Sequence, residues 1–179
     1  MKKENIPNAL TLGRILIIPV FIVLLTVWQS SLSHVLAAII FALASITDYL
    51  DGYLARKWKV VSNFGKFADP MADKILVMTA FIMLVELKMA PAWVVAIIIC
   101  RELAVTGLRL LLVENGGTVL AAAMPGKIKT FSQMFAIIFL LLDWNLSGQV
   151  LLYTALFFTL YSGYDYFKGA AYLFRDTFK

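Results

Sequence analysis

Four aspartates, Asp48, Asp51, Asp69 and Asp73, stand in the stretch DYLDGYLARKWKVVSNFGKFADPMADK, which begins at Asp48 and ends at Lys74. On helices, Asp48 and Asp51 lie about 60° apart around the axis and Asp69 and Asp73 about 40° apart, so each pair shares a face. Two helices would then aim four oxygen ligands at each other. Left unpaired among apolar residues, such carboxylates cost several kcal/mol each or shift their pKa and stay protonated. A divalent metal, or two, is the fitting partner. With no His or Cys nearby, hard cations such as Mg²⁺ or Mn²⁺ are expected over zinc. Two ions about 3.5–4 Å apart that share carboxylates activate a nucleophile and stabilise a leaving phosphate, so phosphoryl chemistry is the leading class. Gly52 and Ala55, one turn from Asp48 and Asp51, leave room on that face, and Arg56 offers a phosphate fork at its mouth. Each aspartate also has a plainer reading: Asp69 before Pro70 as a helix N-cap, Asp48 or Asp51 as partner of Arg56. Those readings do not absorb all four. Arg56, Lys57, Lys59, Lys66 and Lys74 are placed where their stems can reach an interface instead.

The elements that must position these groups are long and apolar. Of 179 residues, 61% are apolar and 15% charged, and the mean hydropathy is +0.85, outside the range of water-soluble domains. An all-α integral membrane protein is expected: a six-transmembrane-helix bundle preceded by a short N-terminal interfacial helix over residues 1–14, forming one domain over 1–179. Windows of ~20 apolar residues place the spans at 10–28, 34–56, 68–87, 92–112, 128–143 and 150–173. Lys88 falls in an external loop and the other basic residues toward the side holding the N-terminus. The positive-inside rule then puts both termini and the aspartates on the cytoplasmic face of a multi-pass protein of the cell membrane. Trp28, Trp58 and Trp144 sit at span ends as anchors. A signal peptide is the competing reading of Lys2, Lys3 and the apolar run after them, but no convincing cleavage site follows Trp28.

The net charge of +5 does not indicate nucleic acid, because the basic residues are not clustered with interleaved aromatics. Cys100, the single cysteine, lies in an apolar run and reads as a buried inert thiol. His34, the single histidine, reads as a loop residue without functional role. No internal repeat is visible.

The order D-x-x-D-G-x-x-A-R, eight residues, then G-x-x-x-D-x-x-x-D resembles the signature of the CDP-alcohol phosphotransferases. It matches at Asp48, Asp51, Gly52, Ala55, Arg56, Gly65, Asp69 and Asp73. The resemblance covers nearly the whole chain and implies a homodimer of six-helix protomers. It also implies transfer of a phosphatidyl group from CDP-diacylglycerol to an alcohol, with release of CMP. It makes Asp48, Asp51 and Asp69 metal ligands, and Asp73 both a ligand of a second metal and the general base. Gly52, Arg56 and Ser62 match positions that contact the cytidine diphosphate. Asn8-Ala9-Leu10-Thr11 with Arg14 resembles the segment that closes over the nucleotide, although Asn8 or Thr11 also reads as a simple helix cap.

Further along, Arg101, Glu102 and Arg109 share one predicted helix, with Glu102 and Arg109 on one face about two turns apart. The stretch Pro125-Gly126-Lys127-Ile128-Lys129-Thr130 opens the next helix, where a helix N-terminus with added cations favours an anion. Pairing of Arg109 with Glu102 or with the aspartates, and ordinary interfacial lysines, are the plainer alternatives. Together Arg101, Arg109, Lys127 and Lys129 carry more positive charge than an uncharged acceptor needs, so a phosphorylated acceptor fits better. The R-E-L-x-V-T-G-L-R and P-G-K-x-K-T stretches resemble the branch of the family that uses sn-glycerol 3-phosphate and makes phosphatidylglycerophosphate for phospholipid biosynthesis. Inositol phosphate, serine and phosphatidylglycerol remain alternative acceptors. A cation carrier is the competing class, disfavoured because the aspartates sit toward one end of their spans.

Overall fold

The computed structural model describes residues 5–28, 30–58, 63–114 and 124–169, with side chains at 12–28, 30–47, 74–109, 111–112 and 124–169. Among the described residues there are six helices: α1 (Asn5–Val27), α2 (Ser31–Trp58), α3 (Asn63–Glu86), α4 (Ala92–Glu114), α5 (Met124–Leu141) and α6 (Asn145–Gly169). Each predicted apolar run therefore is a helix. The fifth starts four residues earlier than position 128, at Met124. No separate interfacial helix precedes the first run, because residues 5–14 are the opening turns of α1.

The ends of the helices are written locally. Before α2, Ser33 N donates to Ser30 Oγ (3.3 Å) and Ser30 N to Ser33 Oγ (3.1 Å), a reciprocal cap in which each serine satisfies the other's free backbone donor. Two helices end alike. Lys88 and Asp143 both adopt φ 59°. Around Lys88, Met89 N reaches Leu84 O at 2.8 Å and Lys88 N reaches Val85 O at 2.9 Å. Around Asp143, Trp144 N reaches Phe139 O at 2.9 Å and Asp143 N reaches Leu140 O at 3.0 Å. This is the Schellman closure, with a non-glycine residue in the left-handed position at both ends.

Helices α5 and α6, joined by that short second turn, form an antiparallel pair. Helix α1 packs on α2 and α3, α4 packs on α6 and α3, and α5 reaches α2 and α3. Phe21, Phe41, Phe81, Leu84, Ile137 and Leu140 are fully buried between these helices, and the Phe21 and Phe41 rings stand 6.5 Å apart. Gln149 of α6 donates to Met89 O at 2.8 Å, tying α6 to the turn between α3 and α4. Outward faces are apolar too: Leu16, Val20, Val23, Leu43, Leu146 and Phe157 are all exposed.

Several expectations are corrected. Among the described residues no helix is long and apolar enough to cross a membrane, which overturns the six-transmembrane integral membrane fold. The multi-pass location in the cell membrane, with its assignment of termini and active site to the cytoplasmic face, loses its basis with it. The reason lies in what the described stretches contain. Helix α4 carries Arg101, Glu102 and Arg109, α5 opens on Lys127 and Lys129 and adds Gln133, and α6 mixes Gln149, Ser162 and Asp165 among its apolar residues. Cys100 is exposed on α4, so it is not a core thiol. His34 belongs to the first turn of α2, not to a loop, and its Nδ1 lies 3.9 Å from Asp143 Oδ2.

Candidate functional site

A cavity of about 230 Å³ opens between α3, α4, α5 and α6. Helix α3 contributes Lys74, Val77, Met78 and Phe81 to its wall, and α4 contributes Arg101, Glu102, Val105 and Arg109. Helix α5 adds Lys129, Thr130 and Gln133, and Tyr166 of α6 closes it. These positions recur at helical spacing. Arg101, Val105 and Arg109 are one turn apart on α4, as are Lys129 and Gln133 on α5.

Among the described residues the cavity gathers four cations around one carboxylate. Glu102 Oε1 accepts from Lys129 Nζ and from Arg101 Nη1 at 3.2 Å. Arg101 Nη2 also donates to Ser162 Oγ at 2.7 Å, and that hydroxyl in turn donates to Phe158 O at 2.6 Å. Arg109 Nη2 donates to Tyr166 OH, and its guanidinium carbon lies 4.9 Å from the centre of the same ring. Lys74 Nζ donates to Thr106 Oγ1, which donates in turn to Glu102 O at 2.6 Å. The close approach of α6 to α4 depends on Gly163: a Cβ there would stand 3.3 Å from Arg101 Cγ.

Among the described residues the set is electrostatically unbalanced. Burial opposes the charge on Glu102, but Lys129 and Arg101 outweigh it and hold the carboxyl below its ordinary value. Burial draws Lys129 and Arg101 below their ordinary values even with Glu102 beside them. One carboxylate thus faces Lys74, Arg101, Arg109 and Lys129. The Nε atoms of Arg101 and Arg109 and the Nε2 atom of Gln133 are buried with no hydrogen-bond partner. A cavity with surplus cations and free donors is made for an anionic, oxygen-rich ligand.

Of the acceptor-side residues expected from the sequence, Arg101, Arg109 and Lys129 meet here. Lys127 does not; it is exposed on α5, since it lies two residues, more than half a turn, from the buried Lys129. The plainer alternative, Arg109 paired with Glu102, is not what is found: Lys129 pairs with Glu102 and Arg109 bonds Tyr166. Lys74, expected to extend toward an interface, bonds Thr106 within the wall. Gln133, Ser162 and Tyr166 were missed. Their signal was faint but present: Gln133 continues the Lys129 face one turn on, and Ser162 and Tyr166 repeat at the same spacing on α6.

The side chains of Asp48, Asp51, Gly52, Ala55, Arg56, Ser62, Asp69 and Asp73, and those of Asn8 and Thr11, lie outside the described residues. The backbone still places some of them. Asp48 and Asp51 are on α2, Asp69 and Asp73 on α3, and the two helices touch. Asp69 and Asp73 precede the cavity-lining Val77 at one-turn intervals on α3. The positions of Asp69 and Asp73 therefore continue the register line of the α3 wall. Arg14 is buried on α1 and is not among the residues lining this cavity.

The model of the CDP-alcohol phosphatidyltransferase family matches residues 4–161. The chain belongs to this family. Among curated relatives, it is 48% identical to the CDP-diacylglycerol–glycerol-3-phosphate 3-phosphatidyltransferase of Bacillus subtilis (strain 168), over 92% of this chain and 94% of that one. It is 42% identical to the enzyme of the same name from Rickettsia typhi (strain ATCC VR-144 / Wilmington), over 93% and 97%. A probable phosphatidylglycerophosphate synthase of Mycobacterium tuberculosis (strain CDC 1551 / Oshkosh) is 40% identical over 93% and 81%. Within the family the chain stands close to the bacterial phosphatidylglycerophosphate synthases. The eight-position signature at Asp48–Asp73 falls inside the matched region.

Proposed function

We propose that the protein transfers the phosphatidyl group of CDP-diacylglycerol to sn-glycerol 3-phosphate, giving phosphatidylglycerophosphate and CMP. The observation that carries the acceptor assignment is the convergence of Lys74, Arg101, Arg109 and Lys129 on one cavity with Glu102 as its carboxylate. That balance of charge suits a phosphomonoester and is excessive for serine. Arg101 and Arg109 retain buried Nε donors for phosphate oxygens.

The reaction is metal-dependent in this reading, with two divalent cations, Mg²⁺ or Mn²⁺. The donor set fits: Asp48 and Asp51 lie three apart on α2, Asp69 and Asp73 four apart on α3, and the helices are in contact. These four aspartates would hold the ions, which when bound neutralise charge on the diphosphate and favour departure of CMP. Asp73 is the general base. Of the two aspartates on α3 it lies nearer in sequence to the cavity-lining Val77, which supports the reading that it takes the proton of the acceptor hydroxyl. That hydroxyl attacks the phosphorus bonded to the diacylglycerol oxygen, the bond to CMP breaks, and the acceptor proton passes to Asp73. Gly52, Ala55, Arg56 and Ser62, with Asn8, Thr11 and Arg14 from α1, are assigned to the nucleotide side. Arg101, Arg109 and Lys129 hold the acceptor phosphate. The active form in this reading is a homodimer, and the apolar outer faces accommodate lipid, including the acyl chains of the donor.

The test is purified protein with CDP-diacylglycerol, Mg²⁺ or Mn²⁺ and a panel of sn-glycerol 3-phosphate, inositol phosphate, serine and phosphatidylglycerol, following CMP release. Glycerol 3-phosphate should be turned over with the highest kcat/KM. Equal or greater turnover with serine would overturn the acceptor assignment.

A further inference from the structure

Gln133 is 4% exposed, lines the cavity, and leaves its Nε2 without a hydrogen-bond partner. It is one turn beyond Lys129 on α5, which separates the two Cβ atoms by about 5–6 Å. Buried amides are ordinarily satisfied, and an orphan in a ligand-sized cavity points to a group that arrives with the ligand. The chemistry of the neighbours says which group. Phosphate oxygens have Lys129, Arg101 and Arg109 to bind. A neutral amide offers one donor group and one acceptor, matching a hydroxyl, which both accepts and donates.

We infer that Gln133 is a specificity-determining residue that hydrogen-bonds the secondary hydroxyl of the acceptor, the one beside the carbon bearing the phosphate ester. This rests on the glycerol phosphate reading given above. A phosphate on Lys129 and a hydroxyl on Gln133 lie one helical turn apart, a span that a three-carbon alcohol phosphate covers. The contact leaves the primary hydroxyl at the far end free to attack. Gln133 forms and breaks no covalent bond; it selects and orients the acceptor.

The test pairs two acceptors with two variants of the full chain, using CDP-diacylglycerol and Mg²⁺ throughout. The acceptors are sn-glycerol 3-phosphate and 3-hydroxypropyl phosphate, which keeps the phosphate and the primary hydroxyl but lacks the secondary one. The wild-type protein should prefer glycerol 3-phosphate in kcat/KM by roughly 10- to 100-fold, the range expected when a buried amide loses its partner. Gln133→Leu should bring that ratio close to unity by slowing glycerol 3-phosphate, with 3-hydroxypropyl phosphate little changed. Gln133→Met, which keeps the unbranched shape, should do the same and serves if the leucine variant fails to fold. A preference retained in the folded variants, or absent from the wild-type protein, overturns the assignment of Gln133 alone. Failure of the wild-type protein to use either phosphate overturns the acceptor reading and this inference together.

Discussion

Lys129 on α5 donates to the carboxylate of Glu102 on α4, and the same oxygen accepts from Arg101 at 3.2 Å. Glu102, the one carboxylate lining the cavity among the described residues, therefore holds two of its cations in place. Removing one member of a buried ion pair strands the partner's charge, which costs about 3–5 kcal/mol. Glu102→Ala should lower the free energy of unfolding by about that amount, discounted for partial exposure. Denaturant unfolding measures it, and an unchanged midpoint would show that Lys129 finds another partner.

Arg109→Gln and Lys129→Gln should each raise the KM for glycerol 3-phosphate about tenfold or more, the scale of a lost charge-assisted hydrogen bond. The KM for CDP-diacylglycerol should move far less. Lys127→Gln is the control from the same helix: exposed, it should change neither constant by more than about twofold. Initial rates with each substrate varied in turn decide this, and equal effects at Lys127 and Lys129 would remove the distinction that α5 draws between its two faces.

Asp48→Asn, Asp51→Asn and Asp69→Asn should each abolish turnover, losing at least about 10³-fold, in protein that remains folded by circular dichroism. Asp73→Asn should keep CDP-diacylglycerol binding and lose most of kcat if its role is chiefly that of a base. A parallel fall in metal affinity, read by titrating Mn²⁺, would assign it chiefly to the metal. Substantial activity in metal-replenished Asp48→Asn protein would contradict the metal-site reading.

Two changes test the helix ends. Lys88 occupies a left-handed position at φ 59°, where a side chain costs about 1 kcal/mol relative to glycine. Lys88→Gly should raise stability by several tenths to about 1 kcal/mol. Ser30→Ala removes one half of the reciprocal cap before α2 and should lower stability by about 1 kcal/mol. Thermal unfolding of both variants reads the two signs directly.

The sequence by itself determined the helices, their number and the chemistry of their polar residues. Periodic apolar runs are local, and so are the signals that end them: the serines before α2 and the turns at Lys88 and Asp143 carry their geometry within a few residues. The aspartate signature was equally legible, because its meaning lies in residue types at fixed spacing along α2 and α3. Apolar composition misled at the next level. It announced long apolar helices and with them a membrane-crossing fold, whereas charge and amide groups interrupt the described stretches of α4, α5 and α6. Only the tertiary structure decided which of those groups meet. Lys127 and Lys129 are equivalent in composition and differ by rotation about α5, and that rotation is resolved only when α5 packs against α4 and α6. Glu102 pairs with Lys129 rather than Arg109, and Tyr166 comes to Arg109 from 57 residues away. No local pattern encodes such a separation, because the partner is selected by which helix faces are pressed together.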